Sequence, residues 1–195
     1  MLEARSGDGV VFLDLETDQY SCCYDPERPI GNYAELLAPV RAIGHDHAHP
    51  IAASPWIDAR PSDMPRPHGL DIVRFFFALV RASLRSRSRS VAHLASVART
   101  LRAKTPAVTM TPQEAANLFR YLLSLTPFRP KCLLGSFALL HFLDSYGLRA
   151  SWVFGVQLFP FRAHCWVVSD GVLLNERRHG IEDYRVIWTI TPTPR

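Results

Sequence analysis

The sequence predicts an α+β fold in which a helix beginning at a cysteine packs on an antiparallel sheet. Three observations carry that expectation. Apolar residues recur with helical spacing through the middle of the chain, and β-rich runs bounded by turn residues occupy its last part. Helices followed by strands, and not alternating with them, is the α+β order. The most apolar helical segment, 133–146, lies just before the strands and is apolar nearly all round, so it belongs at the centre.

Composition sets the frame for these elements. The chain has 195 residues, 48% hydrophobic and 21% charged, which excludes wholesale disorder. The net charge of +4 is mild but unevenly spread. No acidic residue falls between Asp71 and Glu114, while Arg74, Arg81, Arg85, Arg87, Arg89, Arg99, Arg102 and Lys104 do. Such a stretch attracts anionic peptides, nucleic acid or an acidic partner surface. The cysteines, Cys22, Cys23, Cys132 and Cys165, have neither a CxxC pair nor the spacing of a disulfide scaffold. Glu3, Arg5 and Asp8 interrupt the N-terminus, where no signal peptide is therefore expected, and the run Phe75–Val80 is too short to span a bilayer. A cytoplasmic protein without membrane contact is the expectation.

In chain order, Val10–Leu15 and Gln19–Tyr24 are β-rich and separated by a short polar turn, predicting a hairpin. Asn32, with Glu35 three residues on, caps a short helix that Pro39 ends. Residues 1–60 thus form a small hairpin-plus-helix module that needs the rest of the chain to pack against. Residues 61–109 are linker and helical segment. Prolines punctuate 42–67, where His45, His47 and His49 alternate without a cysteine or carboxylate cluster; a solvated loop is favoured over a metal site. Residues 72, 73, 76, 79, 80 and 84 form a helical stripe, thickened by Phe75 and Phe77, expected to be buried against another helix. The run Arg85–Ser90 is a basic turn or helix end, and Val91–Leu101 a second helix.

Residues 110–195 are the third region. Thr111-Pro112-Gln113-Glu114 has a threonine at N-cap, proline at the first helical position and glutamate at the third, which together open a helix. Thr126-Pro127 closes it, Cys132 follows, and Gly147 suits the C-terminal cap of the next helix. Strands are expected at 150–158, 163–169, 172–175 and 184–190.

Cys132 at a helix start and His164 on a strand are the candidate nucleophile and base. A thiol attacks as thiolate, and a helix N-terminus and a histidine both favour that form. Free amides of the first turn are suited to an oxyanion. The residue that orients His164 depends on a turn. A two-residue Asp170-Gly171 turn pairs 169 with 172 and puts Asn175 on the face of His164. A three-residue loop pairs 168 with 172 and sets Glu176 opposite His164. Cys165, by alternation, points away from His164 and reads as structural.

The residues Cys132-Leu133 with their apolar helix, Gly147-Leu148-Arg149-Ala150, Val153-Phe154-Gly155-Val156, Pro160–Val167, Asp170-Gly171 and Leu174-Asn175-Glu176 resemble one family. It is the leader peptidases of lasso-peptide biosynthesis, B proteins of the transglutaminase-like cysteine protease superfamily, with a papain-like arrangement of helix and sheet. The resemblance covers about 110–195, departing at Cys165, where alanine is usual, and at Glu176, where aspartate is usual. It implies a catalytic set Cys132, His164 and Glu176 that removes the leader of a ribosomally made precursor. A separate asparagine-synthetase-like cyclase then uses the exposed amine. Residues 1–60 resemble the winged-helix-like recognition module that takes the leader as an added strand, with Phe12, Leu13, Asp14, Tyr20 and Cys22 as peptide-binding candidates. The expected partners are thus the precursor leader and the cyclase, with no nucleic acid. No cofactor or metal is expected; no Walker-type phosphate loop is present, so any nucleotide belongs to the partner. Two other readings compete: an acyltransferase of the same fold, and a non-catalytic module whose basic segment 74–104 docks nucleic acid or a partner enzyme.

Overall fold

The computed structural model describes residues 2–6, 9–15, 17–24, 56–59, 66–87, 90–101, 110–158 and 160–192. The expected helix after Asn32 and the histidines at 45, 47 and 49 lie outside these residues, as do Ser88 and Arg89 of the serine-arginine run.

The expected hairpin forms as β2 (Gly9–Asp14) and β3 (Gln19–Tyr24), with Val11 opposite Cys22 and Leu13 opposite Tyr20. A further strand, β1 (Leu2–Ser6), pairs with β2 to make a three-stranded antiparallel sheet. Leu-Glu-Ala-Arg-Ser is a weak strand former, and pairing rather than propensity makes it one. Ala4, Val11 and Leu13 share one face and join the main core, so this small sheet packs on the rest of the chain. Asp18 takes a left-handed conformation in the β2–β3 turn, φ 56°. Its carboxylate accepts the Val91 amide at 2.9 and 3.0 Å, holding the turn against a helix start.

Four helices follow: α1 (Gly69–Ser86), α2 (Val91–Thr100), α3 (Pro112–Ser124) and α4 (Cys132–Ser145). The α3 capping box is as expected: Thr111 Oγ1 accepts the Glu114 amide at 3.2 Å, and Glu114 Oε2 accepts the Thr111 amide at 2.8 Å. Helix α4 ends at Gly147, φ 75°, with the Leu148 amide on Leu143 O at 3.0 Å and the Gly147 amide on Asp144 O at 2.9 Å. Only a residue tolerant of positive φ closes the helix in this way.

The buried face of α1 differs from the expected stripe. Asp71, Phe75, Ala78, Leu79 and Ala82 are buried, whereas Val73, Phe76, Phe77, Val80 and Leu84 are all more than half exposed, at 52–64%. The reason is packing against α3 and α4. Phe75 lies 5.3 Å from Phe119 and 6.5 Å from Phe142, ring centre to ring centre, and the alanines allow the helices to approach. Asp71 accepts the Tyr146 hydroxyl beneath this cluster. A helix apolar on both sides gives periodicity no way to choose between them.

The second sheet contains β4 (Ile57–Asp58), β5 (Ser151–Gln157), β6 (Arg162–Ser169), β7 (Val172–Leu173) and β8 (Arg185–Ile190) in the order β4-β7-β6-β5-β8. All neighbours are antiparallel except β4 and β7. A short helix, α5 (Arg178–Ile181), precedes β8. Trp152, Phe154, Val156, Cys165 and Val167 face the helices, while Val153, Trp166 and Val168 face a smaller cluster with Leu173 and Ile181. The mixed α+β architecture is therefore the one expected from the sequence. Among the described residues, no helix is long and apolar enough to cross a membrane.

Candidate active site

Cys132 is the first residue of α4, the helix start expected from the sequence. The first intrahelical bond runs from the Gly135 amide to Lys131 O at 2.8 Å, so the amides of residues 132–134 have no partner within the helix. The Leu133 amide at this end helps to hold the Cys132 thiol in its charged form. Lys131, the N-cap, makes no side-chain cap, and the thiol occupies the electropositive end of the helix.

His164 stands on β6 directly opposite Gly155 of β5. Its Nε2 lies 2.8 Å from Glu176 Oε1, which leaves Nδ1 for the Cys132 thiol, the neighbour that raises its pKa most. The imidazole is flanked by Trp166 and Tyr184, at 6.0 and 5.6 Å between ring centres. Gly155 makes room for this wall: a Cβ there would stand 2.5 Å from the Trp166 ring.

The electrostatics favour a thiolate–imidazolium pair. Cys132 is pulled down to about 4, first by a hydrogen bond from Cys165, then by the hydrogen bond from His164, against the opposing effect of burial. His164 is raised to about 9, chiefly by its hydrogen bond to Cys132 and then by that to Glu176. At neutral pH the proton therefore resides on the histidine.

The turn between β6 and β7 has the two-residue form: Ser169 pairs with Val172, and Asp170 and Gly171 take φ of 48° and 78°. That register was expected to favour Asn175, yet Glu176 meets His164. Strand β7 stops at Leu173, and Asn175 Oδ1 accepts the Val167 amide at 2.7 Å in place of the next backbone carbonyl. The chain bends there, and the next residue, Glu176, swings to the histidine. Asn175 is thus a positioning residue that strand-register reasoning treated only as a rival.

Cys165 was expected to be structural, and it is buried in the main core. Its Sγ lies 3.2 Å from Ser136 Oγ, which also donates to the Cys132 carbonyl at 2.7 Å, and its thiol is pushed up chiefly by Cys132. Alternation does put His164 and Cys165 on opposite faces of β6. A thiol that both reach must sit at the strand's edge, and short β7 leaves that edge open beside residues 164–166. Ser136 also takes the Trp152 indole N–H at 2.8 Å. No signal within one strand could have found this contact, because it depends on where α4 begins.

The peptide-binding candidates separate by burial. Phe12 and Leu13 are buried, at 8% and 1% exposure, so their side chains serve internal packing. Asp14 is half-buried and accepts the Thr17 hydroxyl at 2.9 Å. Cys22 is exposed on the edge strand β3. Tyr20, on the same strand, packs 5.3 Å from Phe161, and its hydroxyl is raised to about 12 by burial, then by the nearby Cys165 and Cys132. The N-terminal sheet therefore borders the thiol site. Among the described residues, no group of three or more His, Cys, Asp or Glu side chains is arranged to hold a metal ion.

A fold with a cysteine at a helix start and a strand histidine against it is that of a thiol-centred domain. The chain belongs to the transglutaminase-like superfamily, whose family model matches residues 76–189. That match begins within α1, and α1 packs directly on the cysteine helix. No curated protein and no solved structure gives a significant match.

Proposed function

We propose that the protein is a cysteine endopeptidase that binds and removes the leader of a ribosomally made lasso-peptide precursor, in a cytoplasmic maturation pathway. The observation that carries the peptidase reading is His164, held by Glu176 at 2.8 Å, on the strand beside the helix start at Cys132, with the thiol pulled down and the imidazole pushed up by each other. In this reading the Cys132 thiolate attacks the scissile carbonyl. The oxyanion is received by the free amides at the start of α4, a contribution on the order of 10²–10³ in rate. His164 gives its proton to the departing amine, and Glu176 holds the ring in position and stabilises its charge. Water, activated by the now neutral His164, releases the leader acid from the thioester.

The substrate assignment rests on the resemblance around Cys132 and His164 and on the edge strand β3. An extended leader would add to that edge, with backbone bonds giving affinity and side-chain pockets specificity. Tyr20 and Phe161 then lie between the recognition strand and the thiol. An asparagine-synthetase-like cyclase is the partner that would receive the trimmed precursor.

The test is cleavage of a cognate precursor encoded beside the gene. Cys132→Ala and His164→Ala are each expected to abolish cleavage while leader binding, measured by fluorescence anisotropy, is retained. Full cleavage by Cys132→Ala would refute the peptidase reading. A product carrying an amine adduct in place of added water would favour the acyltransferase.

A further inference from the structure

We propose that Cys132 and Cys165 form an oxidative modification site, in which hydrogen peroxide converts the exposed thiol to a sulfenic acid and the buried thiol captures it as a disulfide. The inference rests on the thiolate character of Cys132 used in the proposed function, but not on any peptidase activity.

Three structural facts support it. The two residues meet at one hydroxyl: Ser136 Oγ lies 2.7 Å from the Cys132 carbonyl and 3.2 Å from Cys165 Sγ, so neither helix nor strand has to unfold to bring them together. Their exposures are opposite: Cys132 is open to solvent and Cys165 is buried, so a small oxidant meets Cys132 first. Finally, Cys165 is held in place by Ser136 Oγ at 3.2 Å, and Ser136 is fixed in turn by the Trp152 indole and the Cys132 carbonyl. A low-pKa, accessible thiol beside a second cysteine is the usual arrangement of a reversible redox site.

The chemistry balances. The Cys132 thiolate attacks one peroxide oxygen, the O–O bond breaks, and hydroxide leaves; sulfur is oxidised and the peroxide reduced by two electrons. The Cys165 sulfur then attacks the sulfenic sulfur. The S–S bond forms, the S–O bond breaks, and the departing hydroxide takes the Cys165 proton as water. Oxidation also removes what restrains Cys165. Its thiol is raised chiefly by the hydrogen bond to Cys132, a bond to the thiolate that the neutral sulfenic acid no longer offers. The contacts with Ser136 and Trp152, which favour the Cys165 thiolate, remain. The disulfide would silence the nucleophile and protect it from sulfinic acid, which thiols do not reverse.

The experiment treats the full chain with hydrogen peroxide, blocks free thiols, and maps the digested peptides by mass spectrometry. The expected result is a crosslink joining the Cys132 and Cys165 peptides, formed stoichiometrically and removed by dithiothreitol. In Cys165→Ala, and in Cys165→Ser should the alanine variant fail to fold, Cys132 is expected to accumulate sulfinic acid. Dithiothreitol would then restore less than about a tenth of Cys132 to a free thiol. Sulfinic acid at Cys132 of the wild-type chain without the crosslink would overturn the proposal. So would a crosslink from Cys132 to Cys22 or Cys23. A 132–165 crosslink in a protein that cleaves no precursor would overturn only the peptidase reading.

Discussion

Cys132 and His164 titrate as one unit, because each supplies much of the other's shift. With Cys132 lowered to about 4 and His164 raised to about 9, the ion pair exists between those limits. Below the lower limit the thiolate is protonated, and above the upper one the imidazolium is lost. Cleavage measured as kcat/KM is therefore expected to follow a bell with its acid limb well below neutrality and its alkaline limb near 9. Glu176→Gln keeps the size of the side chain but removes its charge. It is expected to lower the rate on the order of 10²-fold and move the alkaline limb downward. An unmoved limb would mean that Glu176 does not hold the imidazolium. Cys132 and His164 were legible in the sequence because helix starts and strand alternation are local patterns. Cys165 was not, since its role depends on a neighbour 33 positions away in the chain.

At the scale of elements, the short β7 decides the third residue of the site. Asn175 provides the acceptor that the strand would otherwise have provided to Val167. Asn175→Ala leaves that half-buried amide without its partner, at a cost of ~1–3 kcal/mol. Because the bend is released as well, activity is expected to fall with stability, and Asn175→Asp to recover much of both. Urea denaturation and cleavage assays on the two variants separate these effects. Gly155 sets the other wall. An alanine Cβ would stand 2.5 and 2.8 Å from the Trp166 ring, which is itself 1% exposed and packed on Tyr184 and Trp56. Gly155→Ala is expected to lower stability by ~1–3 kcal/mol, read as a drop in Tm, and to disturb His164 through the displaced indole. Loop chemistry made the turn residues recognisable, but the length of β7 followed from a side chain that replaces a backbone acceptor.

Across the whole molecule, the helices and both sheets share one core, and a buried histidine makes that core sensitive to acid. His141 on α4 is 5% exposed, packs edge-on with its ring centre 4.7 Å from that of Phe137, and has no hydrogen-bond partner at Nε2 among the described residues. Burial pulls it down to about 4, with Arg81 and Arg85 adding to the effect. The unfolded chain binds a proton near 6.5, so stability is full above that value and is lost as pH falls toward 4. The loss attributable to this one group is about 3 kcal/mol at most. Denaturation at neutral pH and near pH 4.5 should show that slope reduced in His141→Phe; an unchanged slope would assign the acid sensitivity to other groups.

The sequence by itself determined what depends on neighbours along the chain. The α3 cap, the helix that begins at Cys132 and ends at Gly147, the hairpin of β2 and β3, and the helices-then-strands order all come from residues within a turn or two of each other. Only the tertiary structure decided which side of α1 is buried, that Leu2–Ser6 is a strand, that Glu176 reaches His164, and that Ser136 joins Cys165 to Cys132. Each of those outcomes is a choice between locally equivalent alternatives. It is resolved by contacts between distant segments, which leave no periodic trace in the chain.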